Sequence, residues 1–442
     1  MWLPKRPQDF AEAKLSANYV EDCIIKILGT QGAMRGNAFS DLLKLPYSMV
    51  EPVIREMREK DLIAPAGGSG IGGNAGLDFG LTPKGIEQMA QISSRTPYFG
   101  PAPIDIQDYI VSVQSQKFQT QLVRKQHLDS AFSDIMISAD YLNQLGPAIN
   151  SGGPIFLYGK PGNGKTTMSE RIARLFRQGM FVPYAIQVAG EVIQVFDEKV
   201  HRPIPEDILP ANHPLKADPK AIDPRWVYCF RPFIIVGGEL TLEMLDLNFR
   251  AGQRCYEAPF QLKANGGVLL VDDFGRQKVK PTEFLNRWIY PLEKGMDFLQ
   301  LASGKKIEVP FEQLLILSTN LDPRDLGDEA FWRRIRYMIE TPSPTDKEFK
   351  CIFQAICAKK KIAFDEDAYA YLVEKYYRKT NREFRSVHPR DILNRVGDHI
   401  NYHQLPPKLT RELVDQACRA MFGGMSAAVA DDAPKTEARM AG

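Results

Sequence analysis

Residues 154–176 constrain this chain more than any other stretch. Pro154-Ile155-Phe156-Leu157-Tyr158 is an apolar run of strand character that leads directly into Gly159-Lys160-Pro161-Gly162-Asn163-Gly164-Lys165-Thr166. Residues 168–176 follow with helical spacing. A strand, a GxxxxGK[ST] loop and a helix together make a cradle for phosphate. Its glycines let successive backbone N–H groups turn inward, and the helix N-terminus adds its positive end. Lys165 is suited to neutralise the terminal phosphate oxygens of a nucleotide, and the Thr166 hydroxyl to ligate Mg²⁺. The candidate nucleotide-binding residues are therefore Gly159, Pro161, Gly162, Asn163, Gly164, Lys165, Thr166 and Thr167.

Two later apolar strands end in groups that serve the same chemistry. Gly267-Val268-Leu269-Leu270-Val271 runs into Asp272-Asp273, and residues 314–319 run into Asn320. Asp272 would hold Mg²⁺ through water, Asp273 would polarise an attacking water, and Asn320 would reach the terminal phosphate or that water. Farther on stand Glu329-Ala330-Phe331-Trp332-Arg333-Arg334 and His388-Pro389-Arg390-Asp391.

This ordered series resembles the AAA+ ATPases, with Walker A at 159–166, Walker B at 268–273 and sensor 1 at Asn320. The resemblance spans about 119–422. It implies an α/β P-loop NTPase core, three layers around a parallel sheet, followed by a C-terminal helical lid. It also implies ATP and Mg²⁺ as cofactors, with Thr166 and Asp272 as metal ligands, and a ring homo-oligomer, expected to be a hexamer. The catalytic set it implies is Asp273, Asn320, Arg333, Arg334 and Arg390. Either Arg333 or Arg334 would reach the neighbouring subunit's site as a finger, and Arg390 would be sensor 2.

Phe284, Leu285, Trp288, Ile289 and Leu292 make an amphipathic helix ending at Gly295, and residues 297–301 and 305–309 flank Ala302-Ser303-Gly304 as a hairpin. That arrangement resembles the pre-sensor-1 hairpin of the branch holding MoxR-like chaperones, magnesium-chelatase subunits, enhancer-binding activators and the Holliday-junction motor, with the MoxR-like and chelatase-type proteins the nearest comparison. The GAFTGA loop of the enhancer-binding activators is absent. Two departures stand out. Asp273 occupies a position where most of the family has Glu, which sets the carboxylate about one C–C bond, ~1.5 Å, farther from the water. Residues 190–238, lying between the second core strand and Glu239, read as an insertion that either faces a partner or the ring pore or serves as a structural flap.

The expected domains are 1–92, a 93–118 linker marked by Pro97, Gly100, Pro101 and Pro103, the 119–340 core, the 341–422 lid and a disordered 423–442 tail. The first reads as a winged helix: three helices, a strand, the glycine-rich 67–76 loop, a returning strand and a helix opened by Thr82-Pro83. Ser48-Met49-Val50-Glu51 is the expected capping box of its third helix. Within the loop, Gly68-x-Gly70-x-x-Gly73 mimics a dinucleotide fingerprint, but an alternating strand follows where that fingerprint needs a helix. Residues 1–118 hold 12 basic and 13 acidic residues. A duplex-binding surface needs surplus positive charge, so this unit is expected to contact protein rather than DNA.

Lys plus Arg number 56 against 54 Asp plus Glu, a net charge of +2, so no whole-chain field points to nucleic acid or membrane. The six cysteines are scattered without a CxxC pair, which fits reduced thiols in a cytoplasmic protein. No apolar run approaches the ~18–20 residues of a membrane span. His399 and His403 stand at i, i+4 but read as a solvated helix face. The favoured reading is an oligomeric ATPase that remodels a protein partner. A DNA-linked motor using the N-terminal unit, and a nucleotide-gated platform with little hydrolysis, are the alternatives.

Overall fold

The computed structural model describes residues 2–68, 73–93, 98–117, 122–250, 255–327 and 329–430. Its centre is a five-stranded, wholly parallel sheet. The strands are β1 (Ile155–Tyr158), β2 (Phe233–Val236), β3 (Val268–Val271), β4 (Leu314–Thr319) and β5 (Tyr337–Glu340), in the spatial order β2-β3-β4-β1-β5. Strands buried on both faces read as continuous apolar runs, and the inner strands β3, β4 and β1 do so over most of their length. Ile155, Leu157, Val268, Leu270, Leu314 and Ile316 pack on one side with Leu145, Ile149, Met168 and Ile172. Phe156, Leu269, Val271, Leu315 and Leu317 pack on the other with Phe274, Phe284 and Trp288. Helices Ala139–Asn150 and Lys165–Ala173 thus cover one face and helix Pro281–Lys294 the other, a three-layer α/β core.

The second strand of this sheet corrects the sequence reading. Phe233–Val236 pairs in parallel with β3, Phe233 opposite Val268 and Val236 opposite Val271. It therefore belongs to the core and not to an insertion over 190–238. Strands before residue 190, where the second core strand was expected, go elsewhere. Met180–Pro183 pairs with Trp226–Cys229, and Ala185–Val188 joins a separate five-stranded sheet with Ile104–Asp105, Glu191–Gln194, Cys255–Glu257 and Asn248–Arg250. The extra structure thus lies on both sides of the second core strand in sequence, with Ala185–Val188 and Glu191–Gln194 before it and Asn248–Arg250 and Cys255–Glu257 after it. Hairpin Met296–Gln300 with Lys306–Pro310 forms as expected, Met296 opposite Pro310.

Residues 98–117 are no linker. Ile104 pairs with Ile186 in that second sheet, and helix Ile106–Ser115 buries Tyr109 and Val113, the Tyr109 hydroxyl donating to the Leu262 carbonyl at 3.2 Å. The proline-marked composition gave no hint that the stretch carries apolar anchors at helical spacing.

Helices Ala17–Gln31, Gly36–Leu43 and Tyr47–Glu59, with strands Met34–Arg35, Ile63–Gly68 and Leu77–Leu81, enclose Ile24, Phe39, Val50, Ile54 and Phe79. Thr82 caps helix Pro83–Ser93, its hydroxyl accepting from the Gly85 N–H at 3.1 Å. The capping box at Ser48 does not form. That helix begins at Tyr47 behind Pro46, with no side-chain cap, and Glu51 instead pairs with Arg55 at 3.1 Å. Gly70 of the apparent fingerprint lies outside the described residues, and Gly73 is followed by a short turn and a strand.

Helices Asp346–Lys360, Glu366–Val373, His388–His403 and Arg411–Ala430 share one apolar core around Phe349, Phe353, Leu372, Leu393 and Val414. The last of them runs past Gly423, where a disordered tail was expected to start; residues 431–442 lie outside the described residues. Among the described residues no helix is long and apolar enough to cross a membrane.

An arm at residues 2–6 holds the N-terminal unit to the rest. Trp2 packs edge-on against Trp226 at 5.1 Å and Phe181 at 6.2 Å, and the Asp223 N–H donates to the Pro4 carbonyl at 3.0 Å. Beside it, Arg225 is 4% exposed, paired with Asp223 at 2.8 Å, and donates to the carbonyls of Ala13 and Pro103 at 3.3 and 3.2 Å. Breaking a buried pair strands a charge. Arg225→Ala is expected to cost about 3–5 kcal/mol of unfolding free energy in urea titration; a loss under about 1 kcal/mol would mean the pair is effectively solvated.

Candidate functional site

β1, β3 and β4 end side by side, and their exits build the site. In register, Thr319 lies opposite Tyr158 and Val271 opposite Leu317, so the loop after β1, the acids after β3 and the amide after β4 emerge at one level. The loop turns because glycines permit it. Gly159 and Gly162 sit at φ +136° and +82°, and a Cβ on Gly162 would lie 2.6 Å from Val387 Cγ1.

Lys165 is 6% exposed, and its ammonium uses all three protons. It donates to the carbonyls of Gly159 and Lys160 at 2.8 and 3.2 Å and to Asn320 Oδ1 at 2.6 Å. Asn320 in turn donates from Nδ2 to Asp273 Oδ1 at 3.0 Å. The Thr166 hydroxyl donates to Asp272 Oδ2 at 2.7 Å, while Ser318 donates to the other oxygen of Asp272. Burial pulls the Lys165 pKa below its ordinary value; the carboxylates of Asp273 and Asp272 oppose that pull, and the charge of Arg385 adds to it. Asp273 is exposed and adopts φ +50°. Asp enters this left-handed region more readily than most residues, which supplies a backbone reason for the shorter acid.

These groups line a cleft of about 750 Å³ between the core and the C-terminal helices. Pro161, Gly162, Asn163, Gly164, Lys165, Thr166, Thr167, Asp272, Asp273, Asn320 and Arg390 all face it. Ile135, Met136, Ile352 and Ile356 add apolar lining to it. Arg390 is largely exposed and pairs with its neighbour Asp391 at 3.3 Å. Arg333 and Arg334 do not reach the cleft. Arg333 is exposed, and Arg334 pairs with Glu293 at 2.5 Å on helix Pro281–Lys294.

Sequence reading missed three contributors. Ser318 precedes Asn320 by two residues and braces Asp272. Gln277 donates to the Asp272 carbonyl at 2.8 Å. Arg385 donates to the Pro161 carbonyl at 2.9 Å. Ser318 could have been inferred from parallel register; the other two lie in loops whose path no periodicity sets.

The donors present suit the expected ligands. Thr166 and Asp272 offer hard oxygens, and Mg²⁺ typically takes one or two protein carboxylates and completes its shell with water and substrate phosphate. Among the described residues no group of three or more His, Cys, Asp or Glu could hold a metal by itself. His399 and His403 stack at 6.1 Å without a third such partner.

A family model described as "Domain of unknown function (DUF8689)" matches residues 345–420, within the C-terminal helices. No curated protein matches the chain. Among solved structures, NtrX from Brucella abortus is 15% identical with a TM-score of 0.39, over 74% of this chain and 65% of that one. The Thermotoga maritima RuvB Holliday junction branch migration motor is 15% identical with a TM-score of 0.35, over 70% and 72%. A mutant of the same RuvB gives 15% and 0.36, over 69% and 72%. At this distance no residue's role passes from those proteins to this one.

His388 opens the helix that carries Arg390, its Nδ1 3.0 Å from the Tyr377 hydroxyl. Burial, then the charges of Arg385 and Arg382, push its pKa from 6.5 to about 4. Between those values the unfolded chain binds a proton that the folded chain does not, so stability falls as pH drops from 6.5 to 4. His201, pushed to about 4 chiefly by burial, adds to the same slope. His388→Gln should remove about 1–3 kcal/mol of that loss, after a discount for partial solvent screening. Urea midpoints of both proteins across the window measure it, and parallel curves would contradict it.

Proposed function

We propose that the cleft binds ATP with Mg²⁺, that the protein is an AAA+ ATPase of the MoxR-like or chelatase-like branch, and that it works as a ring on a protein partner. The observation that carries the reading is the bonded series Lys165–Asn320–Asp273 beside Thr166–Asp272, drawn from three separate strand exits. Such a constellation has little structural purpose, since it gathers two carboxylates and a buried ammonium at an open cleft.

Lys165 would give up its contacts with the carbonyls and Asn320 to meet the terminal phosphate oxygens. Thr166 and Asp272 would hold Mg²⁺, whose charge offsets that of the phosphates when bound. Asn320 holds Asp273 in place to orient a water and take its proton. The water oxygen bonds to the terminal phosphorus as the bridging bond to the rest of the nucleotide breaks. Arg390 faces the same cleft from the lid side. Arg333 and Arg334 sit away from it, so any part they play in hydrolysis belongs to a neighbouring copy's site.

A protein partner is favoured by the surface of helix Tyr47–Glu59, the element a winged helix would use to read DNA. Most of its positive charge is offset within the unit. Arg55 pairs with Glu51 at 3.1 Å, Arg58 donates to Asn74 at 2.8 Å, and Lys60 lies 2.8 Å from both Glu21 and Glu56. Few cations remain there to displace counterions from a duplex.

Subunit mixing tests the shared site. Asp273→Ala and Arg333→Ala or Arg334→Ala should each lower ATP hydrolysis at least ~10³-fold if the arginine is the finger. Mixing the Asp273→Ala protein with the finger variant should restore activity, because some interfaces then carry both wild-type halves. Mixtures no faster than their components would defeat the ring reading. An unchanged rate in Asp273→Ala would favour the nucleotide-gated platform, and strong stimulation by duplex DNA would favour the DNA-linked motor.

A further inference from the structure

Four consecutive residues of the phosphate loop are each bonded to one short segment ahead of helix His388–His403. Lys160 pairs with Glu383. The Pro161 carbonyl accepts from Arg385 Nη1 at 2.9 Å, and the Gly162 carbonyl from the Val387 N–H at 2.9 Å. Asn163, only 1% exposed, accepts from the Ser386 N–H at 3.4 Å and donates from Nδ2 to Ser343 at 3.2 Å.

The geometry of the peptide bond gives this pattern a consequence. In a planar trans peptide the C=O and the following N–H point in opposite directions, and the chain has no cis bonds among the described residues. The Pro161 carbonyl shares its plane with the Gly162 N–H, and the Gly162 carbonyl with the Asn163 N–H. Drawing both carbonyls outward to residues 385 and 387 therefore turns both N–H groups toward the opposite side of the loop. Among the described residues, nothing accepts from the N–H of Gly162, Asn163 or Gly164. Those are the groups an anion-binding nest needs free and aligned.

We infer that residues 383–387 are a latch that pre-organises the phosphate loop from behind, with Arg385 and the Val387 N–H as positioning groups. The inference rests on the nucleotide reading above. It adds that phosphate affinity depends on the seating of the C-terminal helices, so movement of those helices regulates binding as well as hydrolysis. Arg390 faces the cleft and can touch the ligand; Arg385 acts through the loop backbone.

The test compares ADP with adenosine on the full-length chain, by calorimetry. A latch on the phosphate loop affects only the ligand that has phosphates. Arg385→Ala removes a charge-assisted hydrogen bond and should weaken ADP by roughly ten- to a hundredfold while leaving adenosine unchanged. Val387→Pro removes the second donor alone. Residue 387 has φ −78°, within proline's range, so this variant carries the test if Arg385→Ala does not fold. Arg385→Lys should recover part of the ADP affinity. Amide exchange gives a readout without ligand: the Val387 N–H should be protected in the wild type, and the Ser386 and Val387 amides faster in Arg385→Ala. Unchanged ADP affinity in both variants, or equal losses of ADP and adenosine, would overturn the latch. A wild-type protein that binds neither ligand would overturn the nucleotide reading itself.

Discussion

Parallel register is the constraint on which the rest depends. Hydrogen bonding of β4 to both β3 and β1 sets Leu317 level with Val271 and Phe156. One residue later, Ser318 stands beside Asp272, and two later Asn320 stands at the mouth of the loop after β1. A slip of one position would turn every side chain of β4 to the other face. It would bring the opposite set of β4 side chains to each of the two apolar layers and pull Asn320 away from Lys165. The apolar run Leu314–Thr319 thus serves the site as much as the core, because packing on two faces fixes the register that aligns the polar ends.

That dependence explains what could be read from the sequence. The strand, the glycine loop and the helix over 154–176 have local causes, and so do the two acids and the amide at the ends of apolar runs. All of these meet in one cleft. What sequence could not supply was the choice between two apolar strands as the second member of the sheet. Met180–Pro183 and Phe233–Val236 have similar composition, and only the long-range partner, Val268–Val271, distinguishes them. The reading of 93–118 as a linker failed for a related reason. Prolines mark turns, but Tyr98, Tyr109 and Val113 are held by residues far along the chain, such as Cys255 for Tyr98 and Leu262 for Tyr109. Capping motifs were equally contingent: Thr82-Pro83 forms its cap, whereas Pro46 caps the helix before that one two residues too early for Ser48 to serve.

Charge placement separates surfaces that are finished from surfaces that are not. At helix Tyr47–Glu59 Arg55 and Lys60 are answered by acids of the same unit and Arg58 by the amide of Asn74, and exposed pairs of this kind contribute little stability. Their effect is to leave the face close to neutral. At the centre of the cleft the opposite holds. Lys165 donates only to neutral acceptors, the carbonyls of Gly159 and Lys160 and the amide of Asn320, and the acids Asp272 and Asp273 are held by neutral donors, Thr166, Ser318 and Asn320. The buried ammonium suits an anionic ligand; the acids suit a cation and a water.

The second sheet and the arm at residues 2–6 bear on how motion would travel. Trp2, Asp223 and Arg225 fasten the N-terminal unit to strands that follow helix Lys165–Ala173, and Arg225 reaches both Ala13 and Pro103. The C-terminal helices, by contrast, meet the loop through a few hydrogen bonds at 383–387. Packed interfaces resist small displacements, while a short set of polar contacts can break and re-form. By that argument the joint expected to give first is the one between the cleft and the C-terminal helices, not the buried one at the arm.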